Sequence, residues 1–254
     1  VVFSMVGPLT PECRADSVWS AMALLRHEVP QAHLLICGEA DDVHRNIPDQ
    51  LDITAPVTWL SSAETLDTSA LISASDVCIC LEWPSGRHAM MSLVESLAAA
   101  KPSIVTDLAD RVDIPSLDPR DWHLRPLASV HGRTGAFSPD AACVSIDILD
   151  EDHSLPLAMI RLASDPALRA KLGSGAEALW ERRFTFDRLV RDFEAAITRA
   201  LKVSLSDVRQ AELPAHLRAD GTERVRSILA PFGVWLPGLS DLAPAANPEV
   251  PSES

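Results

Sequence analysis

The chain has 254 residues, 47% of them apolar and 23% charged, enough for one large domain or one domain with an appendage. A formal net charge of −14 and a pI near 4.9 argue against duplex nucleic acid or anionic membrane as a partner, because affinity for either is built from Lys and Arg neutralising phosphates. A small basic pocket for one phosphorylated ligand stays open. The five cysteines, at 13, 37, 78, 80 and 143, form no CxxC pair and no zinc-spaced Cys/His cluster. Cys37, Cys78 and Cys80 fall inside apolar runs, which suits a reducing compartment and gives a cytoplasmic expectation.

In chain order, the first run is VVFSMVG (1–7), already strand-like and without an initiating Met, so an upstream portion is expected to be missing. Further strands are expected at 32–39, 57–61, 76–82, 102–107 and 142–147. All are continuously apolar, as strands covered on both faces are. Helices are expected near 15–29, 42–52, 63–74 and 89–100, the first carrying Val18, Met22, Leu25 and Val29 on one face. The alternation predicts an α/β fold, a doubly wound parallel sheet of about six strands flanked by helices. Residues 108–140, rich in Pro and Gly, read as a long excursion, and the EDH triplet at 151–153 reads as a helix start. Two more helices follow, from about Pro166 to Arg183 and from about Phe186 to Lys202, the first capped by Ser164-Asp165. Domain boundaries are expected as a Rossmann-like unit at 1–203, an extension at 204–238 with a short helix near 222–230, and a disordered Pro/Ala-rich acidic tail at 239–254.

Four stretches, in this order, resemble the C-terminal half of glycosyltransferases of the two-Rossmann-domain GT-B architecture, specifically the retaining family-4 type. VVFSMVGPLTPECRADSVWSAMALLRHEVPQAHLLICGE resembles their first strand, loop, helix and second strand. VTWLSSAETLDTSALISASDVCICLEWPS resembles the third and fourth strands with the helix between, and residues 85–107 resemble the donor loop, its helix and a fifth strand closing on Ala-Lys-Pro. LASDPALRAKLGSGAEALWERRFTFDRLVRDFEAAI (162–197) is similar to their closing helices.

The resemblance implies a nucleotide-sugar donor held at the carboxyl ends of the strands, transferred with retention to a glycan or lipid acceptor. It implies no cofactor and no metal. The missing upstream domain would supply the acceptor site, and peripheral membrane association would run through that domain. The catalytic candidates are Arg14, Arg87 and His88, and the substrate-binding candidates are Gly7, Ser85, Ser92 and Glu95. A helix opening near Ala89–Met91 would aim free N–H groups at a diphosphate, and Glu95 would accept ribose hydroxyls.

Departures from the family pattern are concentrated here. The loop lysine falls at Cys13, leaving adjacent Arg14 as substitute; the arginine after the first glycine is replaced by Pro8; the first acid of E-x7-E falls at Arg87; and His88 and Met90 stand for glycines. Each candidate also has a plainer reading. Arg14 is a phosphate contact or a surface charge, and Glu95 a ribose acceptor or a solvated helix residue. Arg87 is a clamp on a phosphate or sugar carboxylate, or a simple loop cation. His88 is a helix cap or general base, Ser85 and Ser92 turn and helix residues, Asp76 a strand-start support, Cys78 and Cys80 core. A catalytically impaired transferase-like module, binding a nucleotide or nothing, is the alternative function.

Overall fold

A computed structural model describes residues 1–203, apart from 8, 41, 54–55, 61–67, 85–87, 109–113 and 126–139, together with Pro231. The expectations for 204–238 and 239–254, including the short helix near 222–230, lie outside the described residues.

Seven strands form one sheet: β1 (Val2–Val6), β2 (His33–Cys37), β3 (Val57–Leu60), β4 (Val77–Cys80), β5 (Ser103–Thr106), β6 (Ser116–Leu117) and β7 (Cys143–Ile146), in the order β3-β2-β1-β4-β5-β7-β6. Every pairing is parallel. The six expected strands are all present. The seventh, β6, is two residues long and lies within the segment expected to lack regular structure, seated in register on Cys143 and Val144.

The helices are α1 (Ala15–Glu28), α2 (Asp42–Gln50), α3 (Thr68–Ala74), α4 (His88–Ala98), α5 (Glu151–Ser164), α6 (Pro166–Arg183) and α7 (Phe186–Ala200). They cover both faces, and the alternation along each strand shows how. Val77 and Ile79 join Phe3 and Met5 in a cluster with Trp19 and Met22 of α1 and Met159 of α5. Cys78 and Cys80 point the other way, into a cluster with Ile72 of α3, Leu93 and Leu97 of α4, and Leu179 of α6. Side chains two apart share a face of a strand, so an all-apolar strand feeds two cores at once. Strand β4, buried at all four positions, does so fully.

Helix α4 ends on Ala100, at φ 54, with the Ala100 N–H donated to Leu97 O and the Lys101 N–H to Ser96 O. This reciprocal pair satisfies carbonyls left open by the last turn. Asp76 serves the sheet, as its plainer reading held: its carboxylate accepts the Val2 N–H at 2.8 Å while its own N–H bonds Val2 O. The chain divides into two compact units, Val1–Arg191 and Asp192–Ser254, a division inside α7.

Candidate functional site

The strand order reverses between β1 and β4: the chain leaves β1 toward β2 and β3, and leaves β4 toward β5 and β7. Helices α1 and α4 therefore start on opposite faces of the sheet, and their N-termini flank the reversal at the carboxyl edge, where such sheets form a crevice. Open α/β sheets place ligands at such a reversal.

The β1 side is built from a bent loop. Gly7 adopts φ 124, a backbone region few side chains tolerate, and donates its N–H to Cys37 O. Leu9 continues alongside β2 by donating to Glu39 O. A 3-10 turn at Pro11–Cys13 follows, and Arg14, left-handed at φ 55, closes it and opens α1. On the β4 side, Glu82 is buried and its N–H bonds Thr106 Oγ1 at 3.0 Å. Next along, the Trp83 N–H reaches across the reversal to Glu12 O at 2.7 Å. The two loops flanking the crevice are thus stitched together by main chain.

Among the sequence-derived candidates, Gly7 sits at the mouth of this reversal. Ser92 lies beside it: its hydroxyl donates to Val6 O at 3.2 Å, holding α4 against the end of β1. Glu95, half-buried, follows one turn along the same side of α4. His88 opens α4, its side chain outside the described atoms, while Ser85 and Arg87 lie outside the described residues.

Arg14 is engaged elsewhere. Its Nε and Nη2 donate to one oxygen of Glu151 at 2.9 and 2.5 Å, and Ser17 Oγ donates to the same oxygen at 2.7 Å. Glu151 is the first residue of α5, 3% exposed, and its other oxygen, Oε1, is buried without a hydrogen-bond partner. The charge-assisted bond to Glu151 raises the Arg14 pKa, so the guanidinium stays cationic throughout. Two of its five N–H groups are used, which leaves three on a side chain 33% exposed. The structure brings Arg14 to Glu151 and Ser92 to Val6; among the described residues, no contact joins Arg14 to Glu95.

Two more arginines neutralise carboxylates at the ends of the neighbouring strands. Arg120 bonds Asp118 through Nε at 2.9 Å and Nη2 at 2.6 Å, and lies 3.7 Å from Asp150. Arg125 pairs with Asp107 and with Asp118, the latter at 3.2 Å. The Arg120 bonds hold Asp118 far below the usual carboxylate range, down to about 2. Sequence reasoning missed this network and Glu151 alike, since Arg14 and Glu151 are 137 residues apart and no local pattern joins them. No group of three or more His, Cys, Asp or Glu placed to hold a metal occurs among the described residues. Among them, too, no helix is long and apolar enough to cross a membrane.

Residues 1–112, under half of the 254, match the family model described as Glycosyl transferases group 1. No curated protein sequence matches the chain. Among solved structures, Alr3699/HepE of Anabaena, in complex with UDP and glucose, is similar at 14% identity and a TM-score of 0.60, over 78% of this chain and 48% of that one. The C-terminal domain of LpcC, a glycosyl transferase group 1 family protein from Francisella tularensis, is similar at 12% identity and a TM-score of 0.55, over 73% of this chain and 86% of that one. WaaG, a glycosyltransferase involved in lipopolysaccharide biosynthesis, is similar at 14% identity and a TM-score of 0.54, over 72% of this chain and 43% of that one. The chain thus spans less than half the length of HepE and WaaG. At these identities the likenesses show the fold, a Rossmann-like half of the GT-B architecture. The match over residues 1–112 adds the glycosyltransferase group 1 pattern, which agrees with the resemblance read from the sequence at the level of the glycosyltransferase superfamily.

Proposed function

We propose that this chain is the donor-binding half of a glycosyltransferase. It holds a nucleoside-diphosphate sugar at the β1–β4 reversal, and the sugar passes with retention to a glycan or lipid acceptor carried by a further domain. The observation that carries this reading is the family match over residues 1–112, which spans the five strands and the loops framing that crevice. The transfer breaks the anomeric carbon–oxygen bond to the diphosphate, forms a bond to an acceptor oxygen that gives up its proton, and leaves negative charge on the departing diphosphate. Positive potential aimed at that charge supplies the main stabilisation. The opening turn of α4 offers N–H groups and a dipole end, and Arg14 offers three N–H groups beyond its bonds to Glu151. Glu95 positions the ribose, and with it the reacting carbon. Arg87 places positive charge where the family carries an acid, which favours a donor whose sugar is itself acidic. The reading calls for no metal or cofactor. Five free thiols, four of them buried, agree with a cytoplasmic setting.

Titration calorimetry of the chain with UDP, GDP and their sugars tests this. The expected result is one saturable site, weakened about tenfold or more in Glu95→Ala and in Arg14→Ala. A second reading, a transferase-like module without donor chemistry, draws on a specific observation: the loop cation is already neutralised by Glu151. Silence across the whole nucleotide panel would favour that module and overturn the first reading.

A further inference from the structure

A second cleft, of about 320 Å³, lies where the β6 turn meets α5 and α6, at the sheet edge remote from the β1–β4 reversal. It is lined by Leu117, Leu124, Leu168 and Leu172, by the ring of Trp122, and by Arg161 and Lys171. Its size falls within the range of small-molecule sites, which combine apolar walls with a few placed polar groups.

Two independent features point to a ligand. The first is backbone strain: Trp122 stands at φ 61, a left-handed conformation that bulky residues rarely adopt. It is held there by its N–H to Asp118 O at 2.7 Å, and its ring lies 5.8 Å from the Arg161 guanidinium. The fold accepts an unfavourable turn and in doing so presents an aromatic wall. The second is charge. Arg161 shares its cation with Asp165 at 2.9 Å, whereas Lys171 makes no hydrogen bond or ion pair with any described residue. His123, beside Asp121 at 3.6 Å, adds a weak base at the same mouth. Asp165 offsets Arg161 and Asp121 stands beside His123, so Lys171 is the lining cation with no counter-charge among the described residues, in a chain whose formal net charge is −14.

We propose that this cleft binds a small amphiphilic anion, its apolar body against the leucines and Trp122 and its anionic head at Lys171 and the open edge of Arg161. The site is separate from the nucleotide crevice and does not depend on it. An ammonium beside an apolar wall favours a ligand that joins both characters in one molecule. Neither an inorganic anion nor a neutral amphiphile satisfies the two halves together.

Octyl phosphate, kept below its micelle-forming concentration, is the probe, with inorganic phosphate and octyl glucoside as head-only and neutral-head controls. Calorimetry is expected to show one octyl phosphate per chain, with both controls weaker by about tenfold or more. Lys171→Glu, an exposed substitution that leaves the thermal unfolding midpoint unchanged, should weaken octyl phosphate by a similar factor, and Leu124→Asp should do the same. Nucleotide added at saturation should leave the binding intact. Equal affinity for octyl glucoside, an unaltered constant in Lys171→Glu, or no saturable binding would each overturn the proposal.

Discussion

Gly173 and Gly175 show how little room α6 leaves itself. A Cβ at either would stand closer than 3.0 Å to a main-chain oxygen, that of Ala100 for Gly173 and that of Ala141 for Gly175. Backbone cannot swing aside as a flexible side chain can, so the helix or the turn beneath it must shift. Gly173→Ala is expected to lower stability by about 1–3 kcal/mol, against the small gain that replacing glycine in a helix usually brings. Urea denaturation of the variant checks the sign. Asp118 carries a different residue-scale consequence. Its pKa is lowered to about 2 by the Arg120 bonds, so folding favours the ionised form. The resulting stability is present above the unfolded value near 3.8 and is lost as pH falls toward 2. Because Arg120 is 41% exposed, solvent screens the pair and keeps its contribution modest. Asp118→Asn should therefore destabilise the chain near neutrality, with the gap to the parent closing in acid; a constant gap in denaturation curves across that range would refute the assignment.

At the scale of elements, the ion pair of Arg14 and Glu151 fastens the start of α1 to the start of α5, with Ser17 as a third member. Removing only the cation leaves a carboxylate at 3% exposure with one oxygen already unpartnered, an arrangement costlier than losing the pair outright. Arg14→Met alone is expected to cost about 2–4 kcal/mol, and adding Glu151→Leu should restore most of it. Additive losses in that double-mutant cycle would show that the two residues act independently. This pair also marks where sequence reading stopped. The strands β1 to β5 and β7 were legible because each is an apolar run bounded by polar turns, and α6 because Asp165 and Pro166 announce its start; the Asp165 carboxylate does accept the Leu168 N–H. Strand β6 has only two residues and owes its existence to register with β7, which no periodicity records. Only the opening of α5 was legible, since Pro156 interrupts its pattern in the second turn. The candidate crevice was legible in outline, as Gly7, Ser92 and the start of α4 do meet near the end of β1. The partner of Arg14 was not, because it arrives from the far end of the fold.

For the whole molecule, the relevant quantity is the field. The chain carries a formal charge of −14 and its crevice is proposed to take an anionic nucleotide, so approach from a distance is uphill even where the last few ångströms are favourable. Arg14, Arg120 and Arg125, near the carboxyl edge, are each paired to carboxylates, and they do little to reverse that far field. Added salt shortens the reach of the repulsion to about 10 Å at 0.1 M, while a phosphate seated against amide protons and an arginine is screened far less. Association should accordingly quicken with ionic strength, the opposite of a protein that steers anions inward. Stopped-flow mixing with a fluorescent UDP analogue, between about 20 and about 200 mM salt, is expected to show the on-rate rising on the order of threefold with a nearly constant off-rate. An on-rate that falls as salt is added would mean that a positive field does guide the ligand. The basic loop at Arg87 would then be the first place to seek it, with Arg87→Glu expected to abolish the fall.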